Sequence, residues 1–192
     1  VLIDRQDTWS GNAAVRFTNQ PHREWIFRQA FQMGRHIIGY EVQKVLAAVD
    51  FLAPSNPRIG VVGHGEGGLI AFYAAAMDTR FEAVVVSGYF DSRQRIWAEP
   101  IYRNVFGLLR EFGDAEIATL IAPRSLIIEH SPAPKVDGPP PARSGRSGAA
   151  PGKLGTPDYE TVEAEFERAR ALLRPGDPRQ FDRFRLITGT EG

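Results

Sequence analysis

An α/β fold is what this sequence predicts: a three-layer α/β/α sandwich on a mostly parallel sheet. Three observations carry the prediction. Short apolar runs alternate with longer stretches of helical periodicity along most of the chain. Phe81 to Gly88 has the continuous apolar centre of a strand covered on both faces. Strands that alternate with helices imply parallel pairing through right-handed crossovers. The chain has 192 residues, 43% of them hydrophobic, which is enough to bury the core of one domain.

Each element has its own signal. Val1-Leu2-Ile3 is an apolar run ending at Asp4, read as a strand cut at its start. Asp7 to Pro21 is polar and glycine-bearing, hence a loop, and Arg23 to Met33 follows as a helix. His36 to Leu52 is a firmer helix, because Ile38, Val42, Val45, Leu46, Val49 and Leu52 form one apolar stripe. Pro54 and Pro57 stop it, since proline cannot continue the hydrogen-bond ladder. Ile59, Val61 and Val62 form a short strand, Gly63 to Gly68 a tight turn, and Leu69 to Met77 a helix. After the strand Phe81 to Gly88, Asp91 to Glu99 is a loop or irregular helix. Tyr102 to Leu120 is mostly helical, with breaks at Gly107 and Gly113. Ser125 to Glu129 is the next strand. Residues 132–157, rich in proline, glycine and serine and without periodicity, read as a long exposed loop insertion. Tyr159 to Leu173 is an amphipathic helix, and Phe184 to Ile187 a fifth strand.

Composition narrows the function. With 23 basic and 23 acidic residues there is no global field to favour nucleic acid or an anionic membrane. No run of about 18 apolar residues exists to span a membrane. The absence of cysteine excludes disulfides, thiolate metal sites and a cysteine nucleophile. Four scattered histidines give no metal-ligand signature, so neither metal nor cofactor is expected. Val1 reads as the interior of a strand without an initiator methionine, which predicts one domain, residues 1–192, truncated at both ends and joined to other domains of a longer chain.

The turn Gly63-His64-Gly65-Glu66-Gly67-Gly68 is the most informative motif. Strand, glycine-rich turn and helix are the context of a nucleophile elbow, G-x-Nu-x-G, and the central position holds Gly65, which has no side chain to attack with. Serine chemistry needs a hydroxyl, an imidazole to take its proton and a carboxylate to orient the imidazole. Glu66 as a carboxylate nucleophile would put His64 where a small residue is required. Glu66 is better placed to offer its backbone N–H as an oxyanion donor.

Arg58 to Gly68, Phe81 to Gly88 and Asp114 to Glu129 together resemble the α/β-hydrolase superfamily, within it the dienelactone-hydrolase and acetyl-xylan-esterase-like branch. The resemblance covers roughly the middle half of the chain. It implies a catalytic acid just after Glu129 and a histidine just after Ile187. Residues 130–135 hold no carboxylate and residues 188–192 no histidine, so nucleophile, acid and base positions all look vacated. Glu129 is a weak substitute acid, and adjacent strand residues such as Glu129 and His130 point to opposite faces. His64, His130, Arg23 and Arg35 are candidates to line the vacated cleft, an arginine there holding an acidic group. The expectation is an esterase-descended domain without a working triad, binding a small-molecule or carbohydrate ester ligand. One alternative is an active carboxylic-ester hydrolase, deacetylating a polysaccharide, whose other catalytic parts lie outside this chain. Another is a scaffold paired with a second hydrolase domain.

Overall fold

The computed structural model describes residues 2–8, 11–14, 16–18, 20–55, 58–142, 148–173 and 182–189. Helices α1 (His22–Gln32) and α2 (Ile37–Leu52) precede strand β1 (Ile59–His64), helix α3 (Glu66–Met77) and strand β2 (Phe81–Ser87). Two 3-10 segments, Arg93–Ala98 and Ile101–Arg103, lead into α4 (Leu108–Glu111) and α5 (Asp114–Thr119). Strand β3 (Ser125–His130), helix α6 (Tyr159–Leu173) and strand β4 (Phe184–Thr188) complete the order.

The four strands pair in sequence order, β1-β2-β3-β4, and every pair is parallel. Right-handed crossovers between strands laid down in one direction deliver their helices to one face. On that face Val84, Val86, Leu126, Ile128 and Phe184 are buried. Helix α3 packs on β1 and β2, α2 packs on α3, and α5 packs on α6. The opposite face is open: Val62 is 74% exposed and Ile187 42%, with Val85 and Ile127 half-buried. The described residues thus supply the sheet and one of the helical layers of the α/β sandwich.

Local chemistry explains the boundaries. The His36 side chain accepts from the Ile38 N–H (3.1 Å) and caps α2. The two glycine breaks fall inside 102–120: Gly107, at φ +77°, precedes α4, and Gly113 precedes α5, with its N–H held by the Glu116 carboxylate (2.8 Å). Between Tyr102 and Leu120 the chain is therefore a 3-10 turn and two short helices, less helical than its pattern suggests.

Two expectations need correction. Residues 2–4 do not pair as a strand, so the described sheet has four strands. Their backbone is claimed from the helices instead: Glu41 accepts from the Ile3 N–H, Arg23 donates from its side chain to the Ile3 carbonyl, and the Arg23 N–H donates to the Asp4 carbonyl. Nor is 132–157 simply an exposed loop. Val136 and Leu154 form an antiparallel bridge, Leu154 is buried, and Gly152 lies so close to the Glu99–Pro100 backbone that a Cβ would meet it at 2.6 Å.

Phe72 is fully buried on α3 among Tyr73, Tyr89 and Phe90, its ring at 81° to that of Phe90. Phe72→Ala should therefore cost about 3–5 kcal/mol in urea unfolding. Phe51→Ala, at a side chain 83% exposed on α2, should change stability by no more than about 0.5 kcal/mol.

Candidate functional site

Parallel strands bring all their carboxyl ends to one edge, where ligands bind in open α/β sheets. The turn from β1 into α3 lies on that edge. Gly65 adopts φ +56°, ψ −118°, a region glycine tolerates and other residues enter only at a cost. Its N–H donates to the Ser87 carbonyl (2.9 Å), and its carbonyl accepts from the Leu69 N–H (3.1 Å). A Cβ on Gly63 would overlap the Gly67 carbonyl, and one on Gly68 would lie 3.0 Å from the Ser87 carbonyl oxygen. Both glycines are thus required by how closely the helix approaches the sheet.

A side chain at Gly65 would project into Pro134: its Cβ would stand 2.7 Å from the proline Cδ and 3.0 Å from Cγ. The segment carrying Pro134 is tied down on both sides. Ser131 and Ser87 share a hydroxyl hydrogen bond (2.7 Å). His64 Nε2 donates to the Pro132 carbonyl (2.8 Å), which places the ring proton on that nitrogen. The Ala133 N–H donates to Thr156 Oγ1 (3.0 Å).

Glu66 begins α3, and its N–H belongs to the first helical turn, which has no intrahelical acceptor. Its side chain turns inward, only 4% exposed, and meets Arg103 Nε, Arg23 Nη2 (3.0 Å) and Arg5 Nη2 (3.6 Å). Burial pushes the Glu66 carboxyl up, but the Arg103 and Arg23 charges outweigh it and hold the group below the usual carboxylate range. Arg23 also grips Glu41 with both guanidinium nitrogens, at 2.5 and 2.7 Å.

The network continues through Arg103 to Glu99 (3.1 Å), Glu99 to Arg93 (2.9 Å) and Arg93 to Asp114 (3.3 Å). Asp114 is fully buried, and burial pushes its carboxyl up to about 7 against the opposing charge of Arg93. It accepts from the Tyr89 hydroxyl and the Asp91 N–H. Burial, with the nearby Asp114, pushes the Tyr73 hydroxyl up to about 12.

The expected site residues separate on this frame. Gly65, His64 and the Glu66 backbone meet at the turn. Arg23 does not line a cleft, because it is 1% exposed and its charge is committed to Glu41 and Glu66. Arg35 is exposed in the turn after α1, where its N–H donates to the Ala30 carbonyl (2.8 Å). His130 Nε2 donates to the Pro157 carbonyl (2.9 Å), and the ring packs edge-on against Tyr159. Glu129 is half-buried, in register with Ser87 on one side and Ile187 on the other. Among the described residues no group of three or more His, Asp or Glu side chains is placed to hold a metal ion.

Sequence reasoning missed Glu41, Glu99, Arg93, Arg103, Asp114 and Pro134. A signal existed for Glu41, which falls inside the apolar stripe of α2, three residues after Ile38 and one before Val42. Beside Pro134 a cavity of about 520 Å³ opens between the segment after β2 and residues 153–158.

No protein-family profile matches the chain. The Bacillus subtilis (strain 168) protein YtaP, named as a hydrolase, is 31% identical over 128 residues, 58% of this chain and 43% of YtaP. Among solved structures, a Bacteroides fragilis protein described as an acetyl xylan esterase superposes with a TM-score of 0.61 at 13% identity, over 89% of this chain and 41% of that one. A glucuronoyl esterase of carbohydrate esterase family 15 from Caldicellulosiruptor kristjansonii gives 0.52 at 19% identity, over 81% and 45%. The chain thus spans about two fifths of the length of these proteins. It carries their hydrolase-like α/β fold.

Two outcomes follow from the geometry. Gly63→Ala should destabilise by about 3 kcal/mol or more, because the clash is with backbone. Gly67→Ala, on the same turn with nothing within 4 Å, should stay within about 1 kcal/mol of wild type. Asp114 has an ordinary pKa of 3.8 and a folded value of about 7. Between those values the folded state holds a proton that the unfolded chain has released. Stability contributed below pH 4 is therefore lost as pH rises toward 7, at up to about 1.4 kcal/mol per pH unit. Urea unfolding across that window should show a flatter pH slope for Asp114→Asn than for wild type.

Proposed function

We propose that this chain is an esterase-fold domain that does no nucleophilic chemistry at Gly65 and serves as a ligand-binding module. The observation that carries the reading is Pro134, packed where any side chain at position 65 would project. Glycine removes the attacking atom, and the proline fills the space in which such an atom and an acyl carbon would meet. The neighbouring polar groups are engaged elsewhere. His64 donates to a backbone carbonyl, Ser87 and Ser131 bond each other, and His130 holds the Pro157 carbonyl.

What such a turn retains is polarisation. The Glu66 N–H at the start of α3 points a helix terminus toward the sheet edge, where a ligand carbonyl oxygen would be stabilised. Without a nucleophile, hydrogen-bond donors alone leave only a small residue of catalysis, on the order of 10³ over water in a serine protease stripped of its triad. The esterase kinship of the fold is consistent with descent from an ester-binding ancestor and does not itself supply a reaction.

The test uses p-nitrophenyl acetate and a fluorophosphonate probe. The unmodified chain should hydrolyse the ester at the buffer rate and take up no label, and Gly65→Ser should behave the same. Turnover by the unmodified chain that is lost on mutating a cleft residue would overturn the reading. Because the chain has no cysteine, Gly65→Cys offers a single thiol to iodoacetamide. Its alkylation should be at least ~10-fold slower than in the Gly65→Cys/Pro134→Gly double variant. Equal rates would show that Pro134 does not cover the turn.

A further inference from the structure

The cavity beside Pro134 has a floor and a rim of different character. Its floor includes Arg93 and Arg103, both buried and both already paired, with Glu99 and Asp114 on one side and Glu66 on the other. Both guanidiniums are held in place by carboxylates, Arg93 by Glu99 and Arg103 by Glu66 and Glu99, so they shape the cavity without offering a free charge to a ligand.

The rim differs. Arg95, in the 3-10 segment after β2, and Lys153, across the opening, are both exposed, and neither makes an ion pair or side-chain hydrogen bond among the described residues. Three carboxylates line the cavity: Glu99, held by Arg93 and Arg103, and two others. Asp91 takes the Ser92 N–H (2.8 Å) and contributes to the charge environment of Arg93, and Asp158 stands at the start of α6, where its carbonyl accepts from Thr161 and Val162. Neither carboxylate meets Arg95 or Lys153. The opening therefore presents two cations outside any ion pair among the described residues, together with two carboxylate acceptors.

A ligand complementary to that pattern needs an anionic group for the cations and hydroxyls to donate to the carboxylates. A volume of about 520 Å³ lies within the range of small-molecule sites. We propose that this cavity binds a small polyhydroxylated oxyanion, its carboxylate or phosphate held between Arg95 and Lys153 and its hydroxyls directed to Asp91 and Asp158. The proposal rests on the binding-module reading above and names the class of ligand for it. Arginine suits this task through its planar fork and lysine through a mobile point charge. Because both cations sit at the solvent-exposed rim, the attraction is screened by salt.

The probes are gluconate, glucose 6-phosphate and glucose, titrated into the wild-type chain and into Arg95→Ala/Lys153→Ala, with binding followed by calorimetry and by amide shifts at Gln94 and Thr156. Gluconate or glucose 6-phosphate should bind at least ~10-fold more tightly than glucose, with the preference shrinking as salt is raised and lost in the double variant. Binding of one anion alone identifies the carboxylate or the phosphate as the recognised group. Glucose binding as tightly as both anions, an unaffected double variant, or no binding of any probe overturns the proposal. Both substitutions are at exposed side chains, and an unchanged unfolding midpoint verifies that the variant is folded. Ester turnover is measured on the same samples: turnover alongside anion binding would defeat the non-catalytic reading and leave this site standing. Absence of both would defeat this site alone.

Discussion

The buried pairing of Glu66 with Arg23 and Arg103 is the constraint on which the rest of the molecule is arranged. Three separate pieces of chain converge on one carboxylate: α1 through Arg23, the 3-10 turn before α4 through Arg103, and the N-terminal segment through Arg5. Arg23 carries the link on to α2 through Glu41. Glu66, Glu41, Arg23 and Arg103 are desolvated, so each depends on its partners, and removing one member of such a set typically costs about 3–5 kcal/mol. Tyr102 closes the cluster, its ring 4.9 Å from the Arg23 guanidinium and its hydroxyl accepting from Arg5 (2.8 Å). Hydrophobic packing on α3 gives the domain its core, whereas this cluster decides how α1 and α2 sit against it.

The position of Glu66 is what links the cluster to the sheet edge. It is the first residue of α3, one past Gly65, so the carboxylate anchors the helix start while the backbone ahead of it makes the bend. Gly63 and Gly68 hold helix and sheet close, and the Gly65 N–H reaches across to β2. The turn is therefore retained by packing and charge pairing that do not depend on any group at position 65. A bend of this kind needs no side chain at its apex, because its structural supports lie outside that position.

Much of this architecture was legible because it is written in local pattern. The apolar stripe of α2, the continuous run of β2 and the amphipathic period of α6 are each set by neighbours within a few residues, and they appear where the pattern puts them. The bend at Gly65 was legible for the same reason. The charge cluster was not, since Glu66, Arg23 and Arg103 are separated by tens of residues and nothing in their immediate neighbours marks them as partners. Arg23 illustrates the difficulty: a cation before the bend reads as a cleft residue until its burial against two carboxylates is seen. Pro134 was hidden by its setting, because a proline-rich stretch with no periodicity gives no sign of where it folds back. Residues 2–4 misled in the opposite direction, an apolar run whose backbone is satisfied by Arg23 and Glu41 instead of a neighbouring strand.

Glycine at position 65 and proline at position 134 reinforce each other energetically. A residue with a Cβ at φ +56°, ψ −118° would carry backbone strain of about 1–3 kcal/mol, which active sites sustain because the strain aims a reactive group. Glycine, with no Cβ, adopts this conformation without that strain. A glycine alone would leave a hollow over the bend, losing the contacts that a close-packed surface makes. Pro134 fills that hollow with a ring of fixed φ, and the Ser131–Ser87 and Pro132–His64 hydrogen bonds hold it there. A side chain placed at position 65 alone would introduce the strain and add a clash with Pro134, so the two residues favour each other's retention. The same tie-down that covers the bend also forms one wall of the neighbouring cavity, since Ala133 and Pro134 both line it.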